Sequence, residues 1–196
     1  MPERREPEAA KRRIVAAAVR LFAEKGYSAT ATREIAEAAG VAKPMLYYYF
    51  PDKEGLYIAI VREALDRLDA ALAAVVNAAA PPVERLQRKI RTYLEFFLAN
   101  RPLASICFSE IFGLGENRLR QVGPLYFDRV RGYLDTLVRQ GTQHRPLTNT
   151  EREYIALSLL GIPNVFVLRY ILQGETFDVE AVTARVVEYY LAETAP

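Results

Sequence analysis

The chain has 196 residues, 51% of them hydrophobic, which is enough for a sizeable core and excludes a disordered polypeptide. One cysteine, Cys107, and one histidine exclude a disulfide framework, a metal cluster and a histidine-based triad, and no glycine-rich phosphate loop is present, so no enzyme activity and no cofactor are expected. The net charge of +2 divides into +3 over residues 1–53 and −1 over the rest, too small a basic excess for a protein that coats nucleic acid without sequence preference.

No uncharged apolar run reaches ~18–20 residues, so no membrane span is expected. The charged start MPERREPEAAKRR is not followed by an apolar signal core, so a reducing cytoplasmic location is expected.

In chain order, Ile14, Ala18, Leu21 and Phe22 recur at helical spacing and predict a first helix over about 8–25, closed by Gly26. Thr32 is the expected N-cap of a second, short helix with Glu34 in its first turn and Ile35, Ala36 and Ala39 inward. Gly40 turns the chain into a third short helix, about 42–50, with Pro44 in its first turn and Leu46 and Phe50 on the inner face. Pro51 stops it and Asp52 caps a long fourth helix, about 53–79, striped by Leu56, Ile60, Ala64, Leu68 and Leu72.

A fifth helix is expected over about 83–99, with Leu86, Ile90, Tyr93, Leu94 and Phe97 on one side, and a sixth over about 103–112. The seventh spans about 116–139 with a kink at Gly123-Pro124. GTQHRPLTNT reads as a loop, and its lone His144 as a solvated residue. A capping box at Thr150 and Glu153 starts an eighth helix that reaches Gln173 with a kink at Pro163, and Asp178 caps a ninth. No segment alternates with period two. The fold class is all-α, about nine helices.

The informative stretch is Gly26 to Lys53. Helices of about eight residues are not stable alone, so two of them joined at Gly40 must pack on their neighbours. A compact unit whose last short helix is exposed is a helix-turn-helix, and that helix enters a major groove. Three consecutive tyrosines span about 200° of a helix, so Tyr47, Tyr48 and Tyr49 cannot all face inward. Lys43 can reach a guanine edge or a phosphate, and the tyrosine hydroxyls can bind phosphates. Thr32 and Lys53 begin helices, where backbone N–H groups attract phosphate, and Arg33 can reach a phosphate or the groove.

Gly26-Tyr27, Thr32, Arg33, Ile35-Ala36, Ala39-Gly40-Val41, Leu46-Tyr47-Tyr48-Tyr49-Phe50, Lys53 and Leu56 together resemble the DNA-binding region of the TetR family of bacterial transcriptional regulators. The resemblance covers about residues 10–60; the remainder matches in helical layout alone. It implies a head over 8–53 (recognition helix about 42–50) on a body over 54–196 that binds an effector and dimerises. It also implies a palindromic operator, usually repression, and release by a small molecule. Thr32, Tyr47 and Lys53 then look like phosphate contacts. Arg33, Lys43, Pro44, Met45, Tyr48 and Tyr49 look like groove contacts. Two positions depart from the family pattern. Ala42 replaces the usual Ser or Thr cap, at a cost of roughly 1 kcal/mol. Met45 stands where a small or hydroxylated residue is usual.

For the body, the density of aromatics points to an apolar pocket among Phe96, Phe97, Cys107, Phe108, Ile111, Phe127 and Tyr170, with Glu110, Asn164 and Arg169 as its polar groups. A hydrophobic ligand with one polar or acidic end is the matching effector. The family layout further implies a four-helix dimer interface from Ile155, Leu159, Ile162 and Phe166 on the eighth helix and Val182, Val186, Tyr189 and Tyr190 on the ninth. The competing reading is an architectural DNA-binding protein without an effector.

Overall fold

The structure is a computed structural model. It describes residues 5–75, 79–111, 132 and 147–193, with the backbone alone at 5–7, 110, 111 and 193. Among these residues the elements are eight helices: α1 (Arg5–Lys25), α2 (Thr32–Ala38), α3 (Lys43–Tyr49), α4 (Lys53–Ala74), α5 (Pro82–Leu98), α6 (Arg101–Ile111), α7 (Asn149–Gln173) and α8 (Val179–Glu193). The last two are the eighth and ninth helices expected from the sequence. Of the expected seventh helix only Gly132 is among the described residues, where it is helical; Gly123-Pro124, Phe127 and His144 lie outside them.

The all-α expectation holds. Most ends fall where local chemistry puts them. Gly26, Gly40 and Gly174 take positive φ (81°, 63° and 76°) at the ends of α1, α2 and α7, a conformation that costs other residues energy. The Asp52 carboxylate accepts from the Gly55 N–H at 2.6 Å and opens α4. Asp178 likewise accepts from the N–H groups of Glu180 and Ala181.

Two caps differ from expectation. The α7 capping box is built by Thr148, not Thr150. The Glu151 N–H donates to the Thr148 hydroxyl at 3.2 Å, and the Thr148 N–H donates to the Glu151 carboxylate at 2.7 Å. The T-x-x-E pattern occurs twice in a row here, and buried Leu147 fixes the chain entry for the earlier copy. At α2 the N-cap is Ala31 and Thr32 is the first helical residue. Glu34 reaches back to accept from the Ala31 N–H at 2.9 Å, which leaves the Thr32 hydroxyl for another partner. α4 also ends at Ala74, short of the expected 79.

One continuous core joins head and body, from Ile14 to Tyr190. α1 packs on α2, α3, α4 and α6; α5 packs on α4, α6, α7 and α8. α5 shows how the sequence builds it: Leu86, Ile90, Tyr93, Leu94 and Phe97 all lie on one buried face, while Arg88 and Arg91 pair outward with Glu84 and Glu180. α6 is tied at its start to the end of α7, since Arg101 donates to the Ile171 carbonyl at 2.7 Å and lies 5.7 Å from the Tyr170 ring.

α7 is apolar over most of its surface, with Arg169 a charged residue beyond its first turn. Its 25 residues include a window of mean hydropathy 1.9, long and apolar enough by composition to cross a bilayer, although no uncharged run of that length exists. One face is in the core, through Ile155, Ala156, Leu159, Leu160, Pro163, Asn164 and Val167.

Candidate nucleic-acid interface

α3 has seven residues, too few to be helical without support. Its support is a single fully buried side chain, Leu46, seated with Ile35, Ala36 and Ala39 of the α2 segment and with Phe50 just beyond the helix. Small residues at 36 and 39 let α2 and α3 approach. The turn is fixed by backbone bonds from the Gly40 N–H to the Glu37 carbonyl (3.1 Å) and from the Val41 N–H to the Ala36 carbonyl (3.0 Å). Ala42 is the N-cap of α3 and offers no side-chain acceptor, as the sequence implied.

With Leu46 inward, most other side chains of α3 point out. Lys43, Pro44, Met45, Tyr47 and Tyr48 are exposed, and Tyr48 most of all at 78%. Tyr49 is half-buried, edge-on to Tyr48 at 5.0 Å. Desolvation first, then Tyr48 and Glu8, hold the Tyr49 phenol above its ordinary pKa, so it remains a neutral ring. The Lys43 ammonium lies 5.7 Å from the Tyr47 ring centre. The α3 surface is thus a cation followed by rings with polar tips.

The Tyr47 and Thr32 hydroxyls are 3.1 Å apart. Fifteen residues separate them in sequence, and the α2–α3 turn brings them together at the start of α2. Each hydroxyl can donate and accept, so the pair can turn a proton toward an incoming phosphate oxygen. Arg33 is exposed and paired with Glu37 at 2.7 Å. That hydrogen bond first, and the Glu37 charge second, raise its pKa. Exposed pairs of this kind are worth little, so Arg33 is readily exchanged to a phosphate.

Lys53 is placed differently from the other expected contacts. Its ammonium donates to the carbonyls of Tyr27 (2.9 Å) and Thr30 (3.0 Å) and sits 4.3 Å from the Tyr27 ring centre. Sequence spacing gave no sign of this, because the partners are main-chain atoms 23 and 26 residues away.

In the body, Phe97, Cys107 and Phe108 are core residues, with edge-to-face ring contacts from Tyr93 through Phe97 to Phe108. Phe96 is half-buried beside Phe97. Asn164 is buried and accepts a hydrogen bond from the Tyr93 hydroxyl, which forms a polar point in an apolar region. Arg169 is not part of this group. It lies exposed on α7, 5.7 Å from the Phe166 ring, because position 169 falls on the opposite side of the helix from 164. Tyr170 is also outside it, with its hydroxyl donating to the Leu98 carbonyl at 3.3 Å. The side chains of Glu110, Ile111 and Phe127 lie outside the described residues. A separate open groove of about 780 Å³ runs between α1, α4 and the start of α6, lined by Lys11, Arg12, Arg20 and Arg67 over Val15, Val19 and Ile60.

The residues expected at the dimer face differ in burial within the protomer. Ile155, Leu159, Val182, Val186 and Tyr190 are buried within the protomer, and Ile162, Phe166 and Tyr189 are half-buried. The exposed stripe of α7 is Tyr154, Leu157, Gly161, Val165 and Leu172, with Leu191 exposed on α8. Both faces of α7 are apolar, so periodicity alone could not say which one packs inward.

The class defined by this architecture is a helix-turn-helix head carried on a helical body. A family model described as "Bacterial regulatory proteins, tetR family" matches residues 14–60, and one described as "Tetracyclin repressor-like, C-terminal domain" matches residues 79–193. The chain belongs to the tetR family. It is similar to the HTH-type transcriptional regulator RutR of Escherichia coli (strain K12), with 37% identity over 132 residues that make up 66% of this chain and 57% of RutR. The chain therefore spans little more than half the length of the curated relative it matches. Among solved structures it resembles the TetR family transcriptional regulator PfmR from Thermus thermophilus (28% identity, TM-score 0.73, 91% of this chain and 97% of that one). It also has the fold of the transcriptional regulator FadR from Bacillus subtilis, solved in complex with stearoyl-CoA (22% identity, TM-score 0.74, 92% and 97% covered).

Proposed function

We propose that the protein is a dimeric transcriptional regulator, a repressor, that binds a palindromic DNA operator through α3 and releases it when a small apolar ligand enters the body. One observation carries the DNA-binding part. The exposed face of α3, from Lys43 to Tyr48, is held out by buried Leu46, beside the Thr32–Tyr47 hydroxyl pair. Lys43, Pro44, Met45 and Tyr48 face the groove. Thr32 and Tyr47 grip phosphate, with Arg33 available once freed from Glu37. Tyr49, half-buried, shapes the edge of this surface.

The exposed apolar stripe of α7 supports the dimer. Two copies related by a two-fold axis bury it as half of a four-helix interface, and a two-fold dimer meets a palindromic site. The division of labour places the head in 8–53 and the effector-binding and dimerising body in 54–196. The buried Tyr93–Asn164 pair beside Phe97 and Phe108 supports an apolar ligand with one polar end, and the stearoyl-CoA bound by FadR is of that class. α4 links the two parts, since it starts in the head and packs on α5 and α6 of the body.

Selection of duplexes from a random-sequence pool tests the reading. A palindromic motif should emerge, and long-chain acyl-CoA should release the selected duplex. Failure to enrich any sequence, with binding set by salt alone, would favour the architectural alternative.

A further inference from the structure

We propose that Lys53 is a positioning residue: it latches the first turn of α4 to the α1–α2 turn, and so holds the Thr32–Tyr47 phosphate grip in place, instead of contacting phosphate itself. This rests on the head being the DNA-binding part.

The backbone of the α1–α2 turn is tied by several polar contacts. The buried Thr30 hydroxyl donates to the Gly26 carbonyl at 2.8 Å, with the Leu21 carbonyl 3.2 Å away, and the Thr30 N–H donates to the Tyr27 carbonyl at 3.3 Å. Two carbonyls of this turn, Tyr27 and Thr30, then receive the Lys53 ammonium. An ammonium has three N–H donors. Two are given to these carbonyls, and the charge lies over the Tyr27 ring, an arrangement that favours a partly desolvated cation. A lysine held in this way has one donor left and a fixed position. Moving it to a phosphate would take a charged donor from both carbonyls, although that of Tyr27 keeps the Thr30 N–H.

The latch lies where three helices meet. The Tyr27 ring packs on Phe22 of α1 (5.6 Å) and edge-on to Tyr57 of α4 (5.1 Å), and the Tyr57 hydroxyl is 3.4 Å from the Ser109 hydroxyl of α6. Thr32 follows two residues after Thr30. A displacement of α4 relative to α1 therefore pulls on the two carbonyls that precede the grip, which makes Lys53 the point where movement in the body reaches the DNA surface.

The salt dependence of binding separates a latch from a phosphate ligand. Each phosphate neutralised by a lysine contributes about 0.9 to the slope of log K against log salt. A duplex selected by the wild-type protein is the probe; if none can be selected, the proposed function fails before the latch is tested. Lys53→Met should weaken binding to this duplex about tenfold with the slope unchanged. It should also raise amide exchange at residues 27–32, and Thr32→Ala should cost less in the Lys53→Met background than in the wild type. If Lys53→Met does not fold, Tyr27→Leu, which keeps the charge and removes its seat, should also weaken binding at constant slope. A slope that falls by about 0.9 per subunit in Lys53→Met, or unchanged affinity in either variant, would overturn the latch.

Discussion

α3 and α7 both hold large apolar side chains in solvent, and the difference between them points to what each surface is for. On α3 the exposed groups are Tyr47 and Tyr48 beside Lys43 and Met45: rings with hydroxyl tips next to a cation. On α7 they are Leu157, Val165 and Leu172 with Tyr154, mostly aliphatic. Rings with polar tips suit a partner that is itself hydrogen-bonding and charged, as a DNA backbone is. An aliphatic stripe gains only by being covered with another apolar surface. The two helices also differ in support. α3 buries Leu46 fully and Tyr49 in part, whereas α7 buries seven residues.

The comparison would break most sharply at α7. Val165, 64% exposed, does not hold the protomer together. Val165→Glu should therefore leave the helical fold intact, while the proposed symmetric interface would bury two unpaired carboxylates. The dimer should weaken at least about 100-fold, seen as monomers by sedimentation, and operator binding should fall with it. Unchanged sedimentation would mean that α7 meets something other than its own copy.

The next effect is in the head. Leu46→Ala removes the only fully buried side chain of α3 and should destabilise the protein by about 3 kcal/mol, measured by denaturant unfolding. Tyr48→Ala, at an outward position, should cost less than about 0.5 kcal/mol of stability and act on DNA affinity instead. Comparable losses of stability in both variants would contradict the assignment of faces.

Smaller still, Tyr47→Phe deletes one hydroxyl of the Thr32 pair and should weaken all duplexes alike by about five- to tenfold, the worth of about one hydrogen bond. Lys43→Ala should instead alter preference among operator variants; a uniform loss with a reduced salt slope would make Lys43 a phosphate contact.

The smallest effect is acid sensitivity at Glu34. The Ala31 N–H first, and the Lys25 ammonium second, hold this carboxyl below its usual pKa. A depressed pKa means that the ionised form stabilises the fold. That contribution is complete above the unfolded value of about 4.3 and disappears as pH falls through the lower folded value. The thermal midpoint of wild type should thus drop more steeply below about pH 4.5 than that of Glu34→Gln.

Much of the head was legible because its signals are local. Gly40 has a positive φ that few other residues tolerate, Leu46 is the one branched aliphatic residue on α3, and Asp52 caps the turn after Pro51. The caps lie one or two residues from the expected positions: at α7 two successive T-x-x-E patterns compete, and at α2 the Glu34 carboxylate caps the Ala31 N–H without any N-cap side chain. The body was legible in its helices and in the inward faces of α4 and α5, but not in the faces of α7. Ile155 and Leu159 are no more apolar than Leu157 and Val165, so only the packing of α5 and α8 against α7 decides which set is inside.

The sequence by itself determined an all-helical chain, its family, the ends of most helices and the exposed character of the third, since each follows from residues within a few positions of one another. Tertiary structure alone decided three contacts. It joined Thr32 to Tyr47, turned Asn164 toward Tyr93 while Arg169 faced outward, and committed the Lys53 ammonium to two carbonyls. In each case the partner is distant in sequence or is a main-chain atom common to every residue, so no pattern of side chains could announce it.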